Sequence, residues 1–276
     1  MVILCPIIIL MIFFHPTSKK VNYYIPFNVY YERYLYRHAT TELGKFMRFI
    51  QKCSYILSKY MVKLHFTPNE MSLFGFYLGC LANLFLLRSG VIRDSMDLSA
   101  NLLKYVFMLL FTIFYFLHGL FDLLDGGVAR LTDSSTIYGS FLDRILDMTS
   151  DIITWTCLTV YCNFVFINQS WAPFIPNIGL ISLALVLFLD YFLLLRKNFL
   201  QKSPKLFAAL PERWVALVCC GYLVILGLHL KMAGIITGGL QFYDWVFLFY
   251  LVGIAIVAGI NIVIFFWSIR SVIKFA

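Results

Sequence analysis

Six apolar runs, each close to the length needed to cross a bilayer, dominate this chain of 276 residues. Hydrocarbon about 30 Å thick takes roughly 20 residues of helix to span. The runs are Met71–Arg88, Leu102–Leu124, Ile137–Ile167, Ile178–Leu195, Trp214–Leu230 and Phe242–Ile269, with short connections between them. In lipid every backbone N–H and C=O must be paired within its own segment, so runs of this kind fold as helices. Charged residues make up 13% of the chain, about half of what a soluble domain carries. That leaves too little polar surface for a soluble fold and excludes the secreted soluble and disordered classes. The expected fold class is an all-α polytopic membrane protein with six transmembrane helices preceded by an amphipathic interfacial helix.

The interfacial helix is expected in Thr41–Phe66. There Leu43, Phe46, Phe49, Ile50, Ile56 and Leu57 recur at helical spacing, while Lys45, Arg48, Lys52 and Lys59 fall mainly on the other side. Such a helix lies on an anionic membrane surface or packs on the bundle as an ordinary cytosolic helix. The preceding MVILCPIIILMIFF has no basic flank before it and no clear cleavage site after it, so it reads as an interfacial or accessory segment rather than a signal peptide. The expected layout is an accessory segment over residues 1–40, a membrane-surface helix over 41–66 and a six-helix domain over 67–276.

The formal net charge of +8 is read here as topology and attraction to anionic lipid, not as a nucleic-acid footprint. One side of the membrane collects the basic stretch Lys19–Lys63, Arg130, the cluster Arg196 to Arg213, Arg270 and Lys274. The other side holds only Arg88, Arg93, Lys104 and Lys231. Positive charge favours the cytosolic side, so both termini and the connection after the second run are expected there. The cysteines show no CxxC and no metal-ligand spacing with histidine. Cys157, Cys162, Cys219 and Cys220 lie in apolar runs as small hydrophobes.

Against this oily background, Phe121–Asp151 concentrates six aspartates in FDLLDGGVARLTDSSTIYGSFLDRILDMTSD. Asp122 and Asp125 are three apart and share a helix face. Asp143, Asp147 and Asp151 are four apart and share another, with Gly139 one turn earlier. A loop expected over Gly126–Thr136 makes the two helices antiparallel neighbours, so the carboxylates converge. Acids so placed are protonated, or paired with Arg130 and Arg144, or hold a metal. Oxygen ligands of this kind suit Mg²⁺ or Mn²⁺ rather than zinc, and such ions complete their shell with substrate phosphate. Gly126 and Gly127 allow close approach of a ligand, and Arg130 suits a phosphate oxygen. Asp133 reads as solvated, and Asp151 as an outer acid or a helix partner for a basic residue.

Asp122-x-x-Asp125-Gly126-x-x-Ala129-Arg130, then eight residues, then Gly139-x-x-x-Asp143-x-x-x-Asp147 resembles the signature of the CDP-alcohol phosphatidyltransferases at all eight fixed positions. Thr67-Pro68-Asn69 before the first run is similar to the start of that run in many members. The resemblance covers roughly residues 43–270. It implies that Asp122, Asp125, Asp143 and Asp147 hold two Mg²⁺ or Mn²⁺ ions on the pyrophosphate of CDP-diacylglycerol. It implies that Gly126, Ala129 and Arg130 line the CMP pocket, and that Asp147 is also the general base on the acceptor hydroxyl. Membrane lipids are the expected surroundings, and a homodimer is compatible with them. The site is expected on the cytosolic side of an internal membrane such as the endoplasmic reticulum in a eukaryote, or of the plasma membrane in a prokaryote.

For the acceptor, Arg196 and Arg213 stand out in a second basic cluster facing the same side. Pro211-Glu212 resembles a helix start that places Arg213 in its first turn. Similar Pro-Glu-Arg segments occur in members that use phosphorylated polyols, which implies that Arg213 and Arg196 grip an acceptor phosphate. Inositol, inositol phosphate or glycerol phosphate are the favoured acceptors. Leu193 stands near where inositol-phosphate enzymes of the family often carry a lysine, so serine also stays open. Two other classes also use acids in membrane helices. An intramembrane prenyltransferase would carry a second aspartate cluster, yet Asp190 and Asp244 stand alone. A cation transporter would continue polar residues across several spans.

Overall fold

The computed structural model describes residues 27, 42–92, 98–134, 136–199, 210–235 and 242–273. The accessory segment expected over 1–40 lies outside them, Phe27 excepted. Among the described residues run seven α-helices: α1 (Glu42–Lys63), α2 (Pro68–Val91), α3 (Leu98–Thr132), α4 (Ile137–Val165), α5 (Ile175–Phe199), α6 (Leu210–Met232) and α7 (Phe242–Ile273). A 3₁₀ turn at Ala172–Phe174 leads into α5.

Five stretches are long and apolar enough to cross a membrane by length and composition: Pro68–Val91, Ser99–Thr132, Ala172–Leu189, Val215–Met232 and Trp245–Ile264. They correspond to five of the six runs expected from the sequence. The remaining run is also one helix, α4, of 29 residues, but it does not join the five. Asp143, Arg144, Asp147 and Asp151 charge its first half, and Thr154, Thr156, Thr159 and Asn163 dilute its second.

The chain divides into two compact units, and α2, α3 and α4 contribute residues to both. The first unit takes residues up to Leu78 together with Leu117–Asp147. In it Tyr55 and Val62 of α1 are buried with Met71 of α2 and Leu124, Val128 and Leu131 of α3. Leu73 of α2 is buried with Leu142 and Leu146 of α4. The second unit takes Gly79–Phe116 and the chain from Met148 onward. Its core centres on Phe111, Tyr161, Phe166 and Phe247, with Trp155 stacked on Tyr250 at 5.6 Å between ring centroids. Two buried polar links tie its helices together: Asn83 to Thr154 at 3.0 Å, and the Ser182 hydroxyl to the Leu251 carbonyl at 3.1 Å. Small residues bring helices close, as membrane packing requires; a Cβ on Gly90 would lie 3.3 Å from the Cα of Tyr161.

Helix α1 packs through one face and leaves another uncovered. Tyr55, Ser58 and Val62 are buried, and Tyr55 and Val62 pack as described. Ile56, Tyr60 and Leu64 form a separate stripe that is 51%, 62% and 58% exposed. The expectation grouped Ile56 and Leu57 on a single apolar face, open to lipid or to the bundle. A buried stripe on 55, 58 and 62 leaves both of them outside it, because 3.6 residues per turn rotates each by about 100° from Tyr55 or Ser58. Side chains of residues 42–51 lie outside those described.

The start of α2 is defined chemically. The backbone N–H and the hydroxyl of Thr67 both donate to the Glu70 carboxylate, at 2.8 and 2.9 Å. The Glu70 N–H in turn donates to the Thr67 hydroxyl at 3.3 Å. This is a capping box, and Pro68 at the first helical position loses no hydrogen bond there. We expect Thr67→Ala to destabilise the protein by about 1 kcal/mol, and Thr67→Ser to restore it, as read by thermal unfolding of the purified protein in detergent.

Candidate active site

The carboxylates are brought together by a tight reversal between α3 and α4. The expectation of a loop over Gly126–Thr136 is corrected, since α3 continues through both glycines to Thr132. Helical glycine costs up to about 1 kcal/mol relative to alanine. Burial of Leu124, Val128 and Leu131 on either side of the pair offsets that cost. The helix stops at Asp133, whose φ of 49° is left-handed, and the Ser134 N–H closes the end on the Ala129 carbonyl at 3.1 Å. Aspartate tolerates that conformation better than most residues. Helix α4 then starts at Ile137, with the Thr136 hydroxyl accepting from the Gly139 N–H at 2.9 Å.

Asp122 of α3 and Asp143 and Asp147 of α4 converge. One carboxylate oxygen from each lies within 4.8 Å of the others. Asp122 is exposed, and Asp143 and Asp147 are half-buried. The Asp122 carboxyl is in hydrogen-bonding reach of Asp147, and Asp125 of Asp143. Asp125 does not join the group of three. Its side chain is buried. One of its oxygens accepts from the Ser72 hydroxyl at 2.5 Å, and the other from the Gly126 N–H. An all-oxygen set of this kind fits hard divalent cations such as Mg²⁺ and Mn²⁺.

The motif's remaining positions have visible steric roles. The Arg130 guanidinium folds back over Gly126, where a Cβ would stand 3.4 Å from its nearest nitrogen. A Cβ on Gly139 would meet the Thr136 hydroxyl at 3.1 Å and the Asn69 side-chain oxygen at 3.2 Å. Ala129 is half-buried. Asp133 is exposed, as expected of a solvated acid, and Asp151 belongs to the second unit. Arg196 lies in the last turn of α5 and Arg213 in the first turn of α6, but their side chains lie outside those described.

Helix α2 supplies residues that the motif does not contain. Ser72 bonds Asp125, and Asn69 lies three residues before it on the same face. Gly75 lets α2 and α3 approach beside Asp122: its Cβ would be 3.1 Å from Phe121 Cβ and 3.4 Å from the His118 carbonyl oxygen. The His118 ring donates from Nδ1 to the Gly75 carbonyl at 3.0 Å. Asn69 closes the Thr67-Pro68-Asn69 segment recognised in the sequence, and the one signal for Ser72 was its place just after it. Nothing local marks Gly75 or His118.

Comparison with known proteins places these features in a family. A family model described as CDP-alcohol phosphatidyltransferase matches residues 65–260. An uncharacterized protein of Aquifex aeolicus (strain VF5) is 31% identical over 105 residues, which is 38% of this chain and 45% of that one. The match thus spans less than half of that relative's length. The fold is similar to that in the crystal structure of Mycobacterium tuberculosis phosphatidylinositol phosphate synthase (PgsA1) with CDP-DAG bound. The two align with a TM-score of 0.52 and 17% identity, over 77% of this chain and 90% of that one.

The close approach of α2 and α3 gives a direct test. Gly75→Leu forces the two backbones apart beside Asp122, and we expect it to lower stability by about 1–3 kcal/mol in thermal unfolding. Gly75→Ala, whose single methyl needs a shift of only tenths of an ångström, should cost less.

Proposed function

The chain belongs to the CDP-alcohol phosphatidyltransferase family, and from that premise we propose that it transfers a phosphatidyl group from CDP-diacylglycerol to a small alcohol, releasing CMP. The observation that carries this reading is the meeting of Asp122, Asp143 and Asp147 within 4.8 Å, at positions that the family motif fixes. That the related solved synthase holds CDP-DAG supports a diacylglycerol-bearing donor.

Asp122, Asp125, Asp143 and Asp147 are the proposed ligands of two Mg²⁺ or Mn²⁺ ions, which when bound would neutralise charge on the bridging and leaving oxygens of the pyrophosphate. Gly126, Ala129 and Arg130 line the CMP pocket; the guanidinium, folded over Gly126, is of a type suited to a phosphate oxygen. Asp147 takes the proton of the acceptor hydroxyl. The hydroxyl oxygen bonds to the phosphorus that carries the lipid. The bond from that phosphorus to the bridging oxygen breaks, and CMP departs with the electron pair. Positioning and charge stabilisation supply most of the rate in such a transfer.

The membrane arrangement proposed has six spans, with α4 as the sixth. At 29 residues it is long enough to cross, and its acids would be sheltered by neighbouring helices. Residues 67–276 form the catalytic domain, and α1, within residues 41–66, lies on the membrane surface. Its stripe of Ile56, Tyr60 and Leu64 faces lipid, with the Lys63 ammonium 5.9 Å from the Tyr60 ring centre. The site opens to the cytosol, where a water-soluble acceptor meets a donor anchored in the bilayer. The acceptor is inositol, inositol phosphate or glycerol phosphate, with Arg196 and Arg213 gripping a phosphate where one is present.

Membranes supplied with labelled CDP-diacylglycerol, Mn²⁺ and each candidate alcohol provide the test, with the lipid product identified. Asp147→Asn should lower CMP release by at least about 100-fold, the ordinary worth of a general base, while the protein stays in the membrane; unchanged turnover would remove Asp147 from that role. Arg213→Ala should raise the apparent KM for a phosphorylated acceptor about 10-fold, as loss of one charged hydrogen bond does. An unchanged KM points instead to an unphosphorylated acceptor.

A further inference from the structure

Helix α2 touches the acidic cluster through one hydroxyl. The Ser72 Oγ lies 2.5 Å from Asp125 Oδ2 and 3.2 Å from the Pro68 carbonyl oxygen. A hydroxyl has a single proton to donate. A carboxylate accepts it more strongly than a carbonyl does, and the shorter distance agrees. The other Asp125 oxygen is held by the Gly126 N–H. Both oxygens are therefore oriented by the protein, one from within α3 and one from a helix 53 residues away in sequence. A carboxylate oxygen has two lone-pair sites, so each keeps one for a cation after accepting its hydrogen bond.

Ser72 is itself held firmly. The Thr67–Glu70 capping box fixes the turn before it, and Gly75 seats the turn after it against α3. We propose that Ser72 is a positioning residue for the metal site: its hydroxyl holds the Asp125 carboxylate in the orientation in which it would serve as a ligand. The Asp125 and Asp143 carboxyls already lie in hydrogen-bonding reach. The proposal rests on the reading of these aspartates as metal ligands. Partners of a ligating carboxylate commonly change metal affinity 10–100-fold when removed.

The competing role is local. Serine in a helix often bonds the carbonyl four residues back, here that of Pro68 at 3.2 Å, and a proton given to that carbonyl alone would leave the metal indifferent to Ser72. Titration of the purified protein with Mn²⁺, followed by electron paramagnetic resonance, separates the two. Ser72→Ala should weaken Mn²⁺ binding about 10-fold, raise the Mn²⁺ concentration for half-maximal CMP release in parallel, and leave the unfolding temperature unchanged. Ser72→Thr, which keeps the hydroxyl, should bind Mn²⁺ as the native protein does. Native Mn²⁺ affinity in Ser72→Ala overturns the proposal, as does a weakening that tracks lost thermal stability and is not restored by threonine. Asp143→Asn is the control: native Mn²⁺ affinity in that variant overturns the metal reading itself and the proposal with it.

Discussion

Holding several carboxylates within 4.8 Å of one another in an apolar chain is the constraint to which the surrounding structure responds. Two ionised groups at that distance repel by roughly 3 kcal/mol or more at an effective dielectric of about 20. Left alone, the helices that carry them would splay. Several features oppose this. The left-handed Asp133 and the Thr136 cap reverse the chain within residues 133–136. Leu142 and Leu146, flanking Asp143 and Asp147 on α4, are buried with Leu73 of α2. Gly75 locks α2 against the turn of α3 that bears Asp122. A cluster built against its own repulsion has a ready compensator in a cation, whose charge turns each carboxylate pair from a cost into a ligand set.

The parts of this site that depend on one helix were legible in the sequence, because a period of 3.6 residues says which aspartates share a face. That spacing alone put Asp122 and Asp125 on α3 and Asp143 and Asp147 on α4. The parts that depend on two helices were not legible. The Ser72–Asp125 bond and the Gly75–Phe121 approach join residues more than 40 positions apart, and no local pattern encodes such a register. Gly126 and Gly127 misled for a related reason. Glycine is a poor helix former, so a pair of them suggests a loop; burial of Val128 and Leu131 overrides that preference.

The fold divides along the same line. Spans whose composition is uniformly apolar announce themselves, whereas α4 carries aspartates in its first half and hydroxyls in its second. Its acids and hydroxyls lower its hydropathy, yet it is as continuous a helix as its neighbours. Helix α1 shows the opposite ambiguity. Aromatic and aliphatic residues surround it on more than one side, so the single apolar face drawn from spacing left out the stripe that packs. The structure uses one stripe, Tyr55 and Val62, for packing and leaves another, Ile56, Tyr60 and Leu64, uncovered.

Donor chemistry and acceptor choice draw on different parts of the chain in the proposed reading. The pyrophosphate and CMP are handled by residues between 122 and 147, with α2 in support. There each position is tied to its neighbours by a fixed spacing or a short contact, and changing one disturbs the rest. Arg196 stands in the last turn of α5 and Arg213 in the first turn of α6, and the sequence that joins them shows no such spacing. A single arginine at a helix end also fits the general bias of positive charge in the connections of membrane proteins, so its residue type carries little information about what it binds. In that reading, a densely specified donor site and a loosely specified acceptor site let the acceptor change by substitution at a few helix ends without disturbing the carboxylates. The physical reason lies in where the cost falls. Misplacing a metal ligand forfeits charge compensation among several acids at once, whereas misplacing an acceptor-binding arginine forfeits one charged hydrogen bond.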